Sequence, residues 1–233
     1  MLYVLNNESD DITPIRTATN TAEPVIHLSG TVGQIALTPD GRTLYVSYIE
    51  TGTVISYSTA TGKAGQPISL GQSMGPEAIV FTPDGRTAYV ADGNSSYVTP
   101  IDTATSTADP PIRVGKWPEG QEGVVIAPDG RTVYALNFAS GTVTPIDTAT
   151  NKAGRSITIG LGPIGFLPPS QQKNLTPSTG PVQMVFAGSQ AWVLGLPRGQ
   201  DGGGTLTPVS LPADEAEIAF PLTGSPFTVV IAG

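Results

Sequence analysis

One nine-residue stretch constrains this chain more than any other feature. Thr38-Pro39-Asp40-Gly41-Arg42-Thr43-Leu44-Tyr45-Val46 returns as Thr82-Pro83-Asp84-Gly85-Arg86-Thr87-Ala88-Tyr89-Val90, and again, altered, as Ala127-Pro128-Asp129-Gly130-Arg131-Thr132-Val133-Tyr134-Ala135. A self-similar unit of about 44 residues cannot bury its apolar face alone, so the fold must stack such units.

The grammar of the unit is clearest in residues 31–71. An apolar run, Ile35-Ala36-Leu37, meets Pro39-Asp40-Gly41. Proline presets one turn dihedral, aspartate accepts from nearby backbone N–H groups and glycine tolerates positive φ, so this is a hairpin turn. The chain returns through Thr43-Leu44-Tyr45-Val46-Ser47, turns at Glu50-Thr51-Gly52, and continues through Thr53-Val54-Ile55-Ser56-Tyr57. Their β-branched and aromatic content suits strands. A third turn, Thr59-Ala60-Thr61-Gly62, leads to a last short strand, Pro67-Ile68-Ser69-Leu70, so each unit is expected to supply four strands.

Composition agrees. With 28 Gly, 22 Pro and 13% charged residues in 233, the chain is built for many short strands and turns rather than helices. That length fits one domain. The net charge of −8 argues against a nucleic-acid partner, which needs clustered Lys and Arg. With no cysteine there are no disulfides or thiolate sites, which leaves the redox compartment open. No apolar run approaches the ~18 residues of a membrane helix. The start, Met1-Leu2-Tyr3-Val4-Leu5, is strand-like and carries no signal peptide; the leader of an exported form would lie outside this sequence.

Tyr-Val at the second strand, Gly-Thr-Val at the third, Asp147-Thr148-Ala149-Thr150-Asn151 and the Thr-Pro-Asp-Gly-Arg turn together resemble the YVTN-type β-propeller repeat, common in bacterial and archaeal surface proteins. The resemblance covers residues 2–160 clearly and the rest weakly. It implies an all-β propeller of four-stranded antiparallel blades around a channel, and a place at the cell surface or outside the cell. One departure is proline in the third strand, at Pro14, Pro100, Pro145 and Pro208, where a bulge or a missing ladder bond is expected.

The unit boundaries are 1–30 together with 225–233, then 31–71, 72–115, 116–160 and 161–224. The first unit lacks a first strand, and Phe227-Thr228-Val229-Val230-Ile231 looks like a first strand with nothing after it. Five blades closed by this C-terminal strand are expected; a piece of a larger propeller is the competing reading. In the fifth unit Trp192 stands where the others have tyrosine, and residues 166–177 read as an inserted loop.

Function is expected where the repeat breaks. The loops from fourth to first strand and from second to third share the channel mouth and carry Glu8, Asp10, Asp11, Glu50, Glu77, Asp92, Glu119, Glu122 and Asp201 against Lys116, Lys173 and Arg198. Glu77, Asp92, Trp117, Glu119 and Glu122 are the ligand-binding candidates. Trp117 breaks the repeat in a mouth loop and, beside Glu119, could stack on a sugar or a cation. The rival reading of the acids is solvated loop charge. Carboxylates also suit Ca²⁺, but no D-x-D-x-D-G spacing is present, so no cofactor and no metal site is assigned. The Asp-Gly-Arg turns are read as structure, and Tyr45, Tyr89, Tyr134 and Trp192 as packing between blades. His27 is the single histidine, which excludes a multi-imidazole metal site. No catalytic residue is assigned. The chain reads as a binding scaffold for a protein or carbohydrate; the alternative, by resemblance, is a lactonase-like or lyase-like propeller acting at the mouth.

Overall fold

β-branched and aromatic runs between Gly-, Pro- and Asp-bearing turns make strands throughout, and the computed structural model contains no helix among its described residues. It describes residues 1–6, 8–71, 75–115, 121–159, 179–188, 190–197, 204–211, 215–217 and 220–221. They form five antiparallel sheets, one per sequence unit.

The first sheet holds β1 (Leu2–Asn6), β2 (Asp11–Arg16), β3 (Thr21–Ala22) and β4 (Ile26–His27). The second holds β5 (Val32–Leu37), β6 (Thr43–Tyr48), β7 (Thr53–Ser58) and β8 (Ile68–Ser69). The third runs β9 (Pro76–Phe81), β10 (Thr87–Asp92), β11 (Tyr97–Asp102), β12 (Thr107–Ala108) and β13 (Ile112–Arg113). The fourth repeats it with β14 (Gln121–Ile126), β15 (Thr132–Asn137), β16 (Thr142–Asp147), β17 (Lys152–Ala153) and β18 (Ile157–Thr158). The fifth holds β19 (Thr179–Ala187), β20 (Gln190–Pro197), β21 (Thr205–Ser210), β22 (Glu215–Ala216) and β23 (Phe220–Pro221). The first sheet has no described strand on the inner side of β1. His27 is exposed on an outer strand.

The third-strand prolines act on one side only. Tyr89 stands opposite Pro100 and Tyr134 opposite Pro145 in unbroken register, so no bulge faces the second strand. On the other side the outer strand is split into two short pieces, and the proline carbonyl accepts from Asp109 N–H or Gly154 N–H at 2.8 Å. Carbonyl and nitrogen of one strand residue point the same way, so the missing donor faces that split. Ser56 holds the same place in β7 and its carbonyl accepts from Gly65 N–H at 2.7 Å, with Tyr57 bridged to Ala64 and β8 further on. The split therefore belongs to the repeat, and proline fits a break that exists without it.

The core lies between sheets. Ile12 meets Leu44, Val46 and Tyr48; Tyr45, Val54 and Ile68 meet Ile79, Phe81 and Val90. Tyr89, Val98 and Ile112 pack on Val124, Val133 and Ile146, and Tyr134, Leu136 and Val143 on Met184, Val193 and Val209. The repeated tyrosines are thus spacers between neighbouring sheets. Tyr45 meets Phe81 edge to face at 5.1 Å between centroids, a favoured aromatic geometry. Tyr89 is fully buried and its hydroxyl donates to Asn151 Oδ1 of the next sheet at 2.6 Å. Burial, with the Asp147 and Asp109 carboxylates adding to it, pushes its pKa up to about 12.

The two ends of the sheets differ in chemistry. At one end Thr38 Oγ1 and Arg42 N–H both donate to Asp40 Oδ1, at 2.7 and 3.0 Å, and Thr82 and Arg86 repeat this on Asp84. The next turn locks onto it. Thr59, Thr103 and Thr148 each donate a hydroxyl to the preceding turn's glycine carbonyl, at 3.0, 2.6 and 2.9 Å. The Asp-Gly-Arg and Asp-Thr-Ala-Thr motifs are one self-satisfied clasp.

Candidate functional site

The other end is built from two positions per sheet, the start of the inner strand and the end of the second. Each inner strand of the second to fifth sheets starts with a register shift against its neighbour. Asp92 pairs with Pro76 and Ala91 with Ala78, which leaves Glu77 as the extra residue. Asn137 pairs with Gln121 and Leu136 with Gly123, which leaves Glu122 in the same place one sheet on. The equivalent residue is Val182 in β19, and in β5 the shift spans Gly33 and Gln34. Such β-bulges end pairing and re-aim a side chain.

The Glu77 carboxylate lies over Gly93, where an added Cβ would collide with it. The space over Gly93 is thus limited by the end of a side chain rather than by backbone angle. Asp92, at the end of β10, is 3% exposed and accepts from Asn94 N–H at 3.0 Å. Gly93 N–H donates to the Gly75 carbonyl at 2.8 Å, which ties this turn to the strand that carries Glu77. The structure thus brings Glu77 and Asp92 to one corner of the third sheet. It sets Glu122 at the matching register of the fourth. Trp117 and Glu119 lie outside the described residues, as do Asp201, Lys116, Lys173 and Arg198.

The end of the second strand varies between sheets: asparagine in the first and fourth, tyrosine in the second and aspartate in the third. Asn6 donates from Nδ2 to Asp11 Oδ1 and Thr13 Oγ1, at 2.6 and 2.8 Å. Tyr48 shares a 2.6 Å hydrogen bond with the Tyr57 hydroxyl; burial first, then that bond, raises its pKa. Asn137 is 0% exposed and reaches the Val114 carbonyl, Thr142 Oγ1 and Thr144 Oγ1 from Nδ2, at 3.2, 3.1 and 2.9 Å. Sequence reasoning missed Asn137. A polar residue closing an apolar strand, as in Tyr134-Ala135-Leu136-Asn137, was the available signal.

Among the described residues two clefts open at this end. One, of about 320 Å³ between the first two sheets, is lined by Leu5, Asn6, Asp10, Gly30, Thr31, Val32 and Glu50, and Thr31 donates to Glu50 at 2.6 Å. The other, of about 490 Å³, runs outward between the third and fourth sheets. Among the described residues no three of His, Cys, Asp and Glu gather closely enough to hold a metal ion.

No protein-family model and no curated protein matches the sequence. Solved structures do. Hydrazine synthase of Kuenenia stuttgartiensis superposes with a TM-score of 0.66 at 22% identity, over 82% of this chain and 49% of that one. Virginiamycin B lyase from Staphylococcus aureus gives 0.72 at 13% identity, over 95% and 66%. U3-55K gives 0.62 at 13%, over 83% and 53%. These are β-propeller-type folds, and this chain shares that architecture. At such identities the likeness is one of fold, and the chain spans from 49% to 66% of the length of those structures. No helix among the described residues is long and apolar enough to cross a membrane.

Proposed function

We propose that this protein is a non-catalytic binding scaffold, a five-bladed propeller of the YVTN-repeat kind, that holds its partner at the acidic mouth. One observation carries the reading. The inner-strand bulge inserts a glutamate at the same register in two adjacent sheets, Glu77 and Glu122, and Asp92 ends the strand beside Glu77. Acidic residues at this shared register favour a protein or carbohydrate partner that presents cationic groups, and Trp117 and Glu119 belong to the same candidate surface by sequence. Ca²⁺ is a further cation such oxygens suit. A decalysine peptide is the simplest probe: it should bind the native chain, more weakly at higher salt, and lose affinity in Glu77→Gln and Glu122→Gln. By family resemblance the protein works at the cell surface or outside the cell, which fractionation of the source cells tests.

A second reading is an enzyme, supported by the fold likeness to virginiamycin B lyase over 95% of this chain. Incubation with virginiamycin B and a panel of lactones separates the two. Turnover abolished by Glu77→Gln or Glu122→Gln overturns the scaffold.

Closure is part of the proposal. β1 lacks a described inner neighbour, and residues 225–231 repeat the proline-then-strand pattern of Gly75-Pro76-Glu77-Ala78-Ile79-Val80-Phe81. Residues 227–231, outside the described set, would fill that edge as the innermost strand of the first blade. Deleting residues 225–233 should abolish the cooperative melt; an unchanged melt overturns closure.

A further inference from the structure

We infer that the groove between the third and fourth sheets is a binding site for a saccharide bearing a carboxylate, separate from the acidic mouth. It has a volume of about 490 Å³ and is lined by hydroxyls of Ser140, Thr142, Thr144, Ser156 and Thr158, with Arg113 at its rim. That volume lies within the range of small-ligand pockets, about 300–1,000 Å³. Among the described residues no carboxylate lines it.

The hydroxyls form a connected wall. Ser140 Oγ bonds Thr142 Oγ1 at 2.7 Å, and Thr144 Oγ1 bonds Ser156 Oγ at 2.8 Å while donating to the Val114 carbonyl at 2.7 Å. The Asn137 amide joins the two halves through Nδ2. Asn137 itself is buried behind the wall and does not line the groove. Ser156 and Thr158 line it and are exposed, and the hydroxyls of a sugar complement theirs, since each both donates and accepts.

The charge at the rim selects the kind of sugar. Arg113 is exposed, donates from Nε to the Gly115 carbonyl at 3.0 Å and forms no ion pair among the described residues. Its terminal nitrogens retain the fork that binds a carboxylate through two parallel hydrogen bonds. In a chain of net charge −8, an arginine beside a hydroxyl-lined groove marks a local anion preference.

Calorimetric titration of the full chain with trigalacturonate tests this, with neutral maltotriose and inorganic sulfate as controls. Trigalacturonate should bind, and maltotriose should bind at least tenfold more weakly. Arg113→Gln should cost about tenfold, the loss of charge-assisted hydrogen bonds. The double variant Ser156→Ala/Thr158→Ala should weaken binding independently. All three changed residues are exposed, so melting curves should match the native chain. No heat with trigalacturonate, or equal affinity in a normally folded Arg113→Gln, overturns the site. Full displacement of trigalacturonate by equimolar sulfate overturns its saccharide character.

Discussion

The two ends of the sheets follow opposite rules. At the clasp end the same residues recur and satisfy one another: Asp40 and Asp84 each take a threonine hydroxyl and a backbone N–H, and Thr59, Thr103 and Thr148 close on the turn before them. At the mouth end equivalent positions hold Asn6, Tyr48, Asp92 and Asn137: the two asparagines make matching bonds, to Thr13 and Thr144, whereas Tyr48 and Asp92 have partners of other kinds. Recurrence marks what the repeat needs in order to stack. Variation marks what stacking leaves unconstrained, and there a binding function has room. The one motif repeated almost intact is thus the poorest guide to activity.

The largest effects should come from the packing between sheets that both ends share. Tyr89→Ala empties a fully buried site between the third and fourth sheets and should cost about 3–5 kcal/mol in urea unfolding. Tyr89→Phe keeps the ring and removes the bond to Asn151, at about 1 kcal/mol. Equal losses for the two variants would mean that the hydroxyl rather than the ring holds these sheets together.

Two glycines then sharpen the contrast between ends. Gly130 has a φ of 72°, and a Cβ there would lie 2.5 Å from the Pro83 ring of the neighbouring turn. Gly130→Ala should therefore cost about 2 kcal/mol, from left-handed strain and a rigid neighbour. At Gly93 the obstacle is the end of the Glu77 side chain, which can swing away. Gly93→Ala should cost about 1 kcal/mol or less while weakening decalysine binding by displacing that carboxylate. Matching stability losses with binding intact would erase the distinction between ends. Thr148→Val probes the clasp itself: it removes the hydroxyl bond to the Gly130 carbonyl, and a loss of about 1 kcal/mol is expected.

Local chemistry was legible in the sequence. Pro39-Asp40-Gly41 predicted its turn because three adjacent residues determine it, and the spacing of Tyr45, Tyr89 and Tyr134 predicted packing between sheets because period alone sets it. What depends on pairing between strands was hidden. Glu77 and Glu122 were picked for charge, but their shared origin in a bulge follows from register, which no single strand encodes. The expected irregularity at Pro100 exists, yet Ser56 shows the split without proline, because strand separation rather than the residue creates it. The Asn137 network joins groups from two sheets and was invisible for the same reason. Trp117 and Glu119, chosen because they break the repeat, lie outside the described residues.

The smallest expected effect is electrostatic and belongs to the clasp alone. Asp40 and Asp84 have pKa values below their ordinary 3.8, first because Thr38 and Thr82 donate to them, then through the Arg42 and Arg86 backbone N–H groups. Asp102 and Asp147 are lowered too, by the backbone and hydroxyl donors of Thr105 and Thr150. A carboxylate with a depressed folded pKa gives stability that is full above its unfolded value and is lost as pH falls through the folded one. The urea midpoint should therefore hold from neutral pH down to about 5 and decline below about 4. Because these groups are solvated, the decline should be shallow. Asp84→Asn and Asp147→Asn should each flatten it, since an amide does not titrate. If both variants kept the native slope, acid sensitivity would not belong to the clasp, and this difference between the two ends would fall.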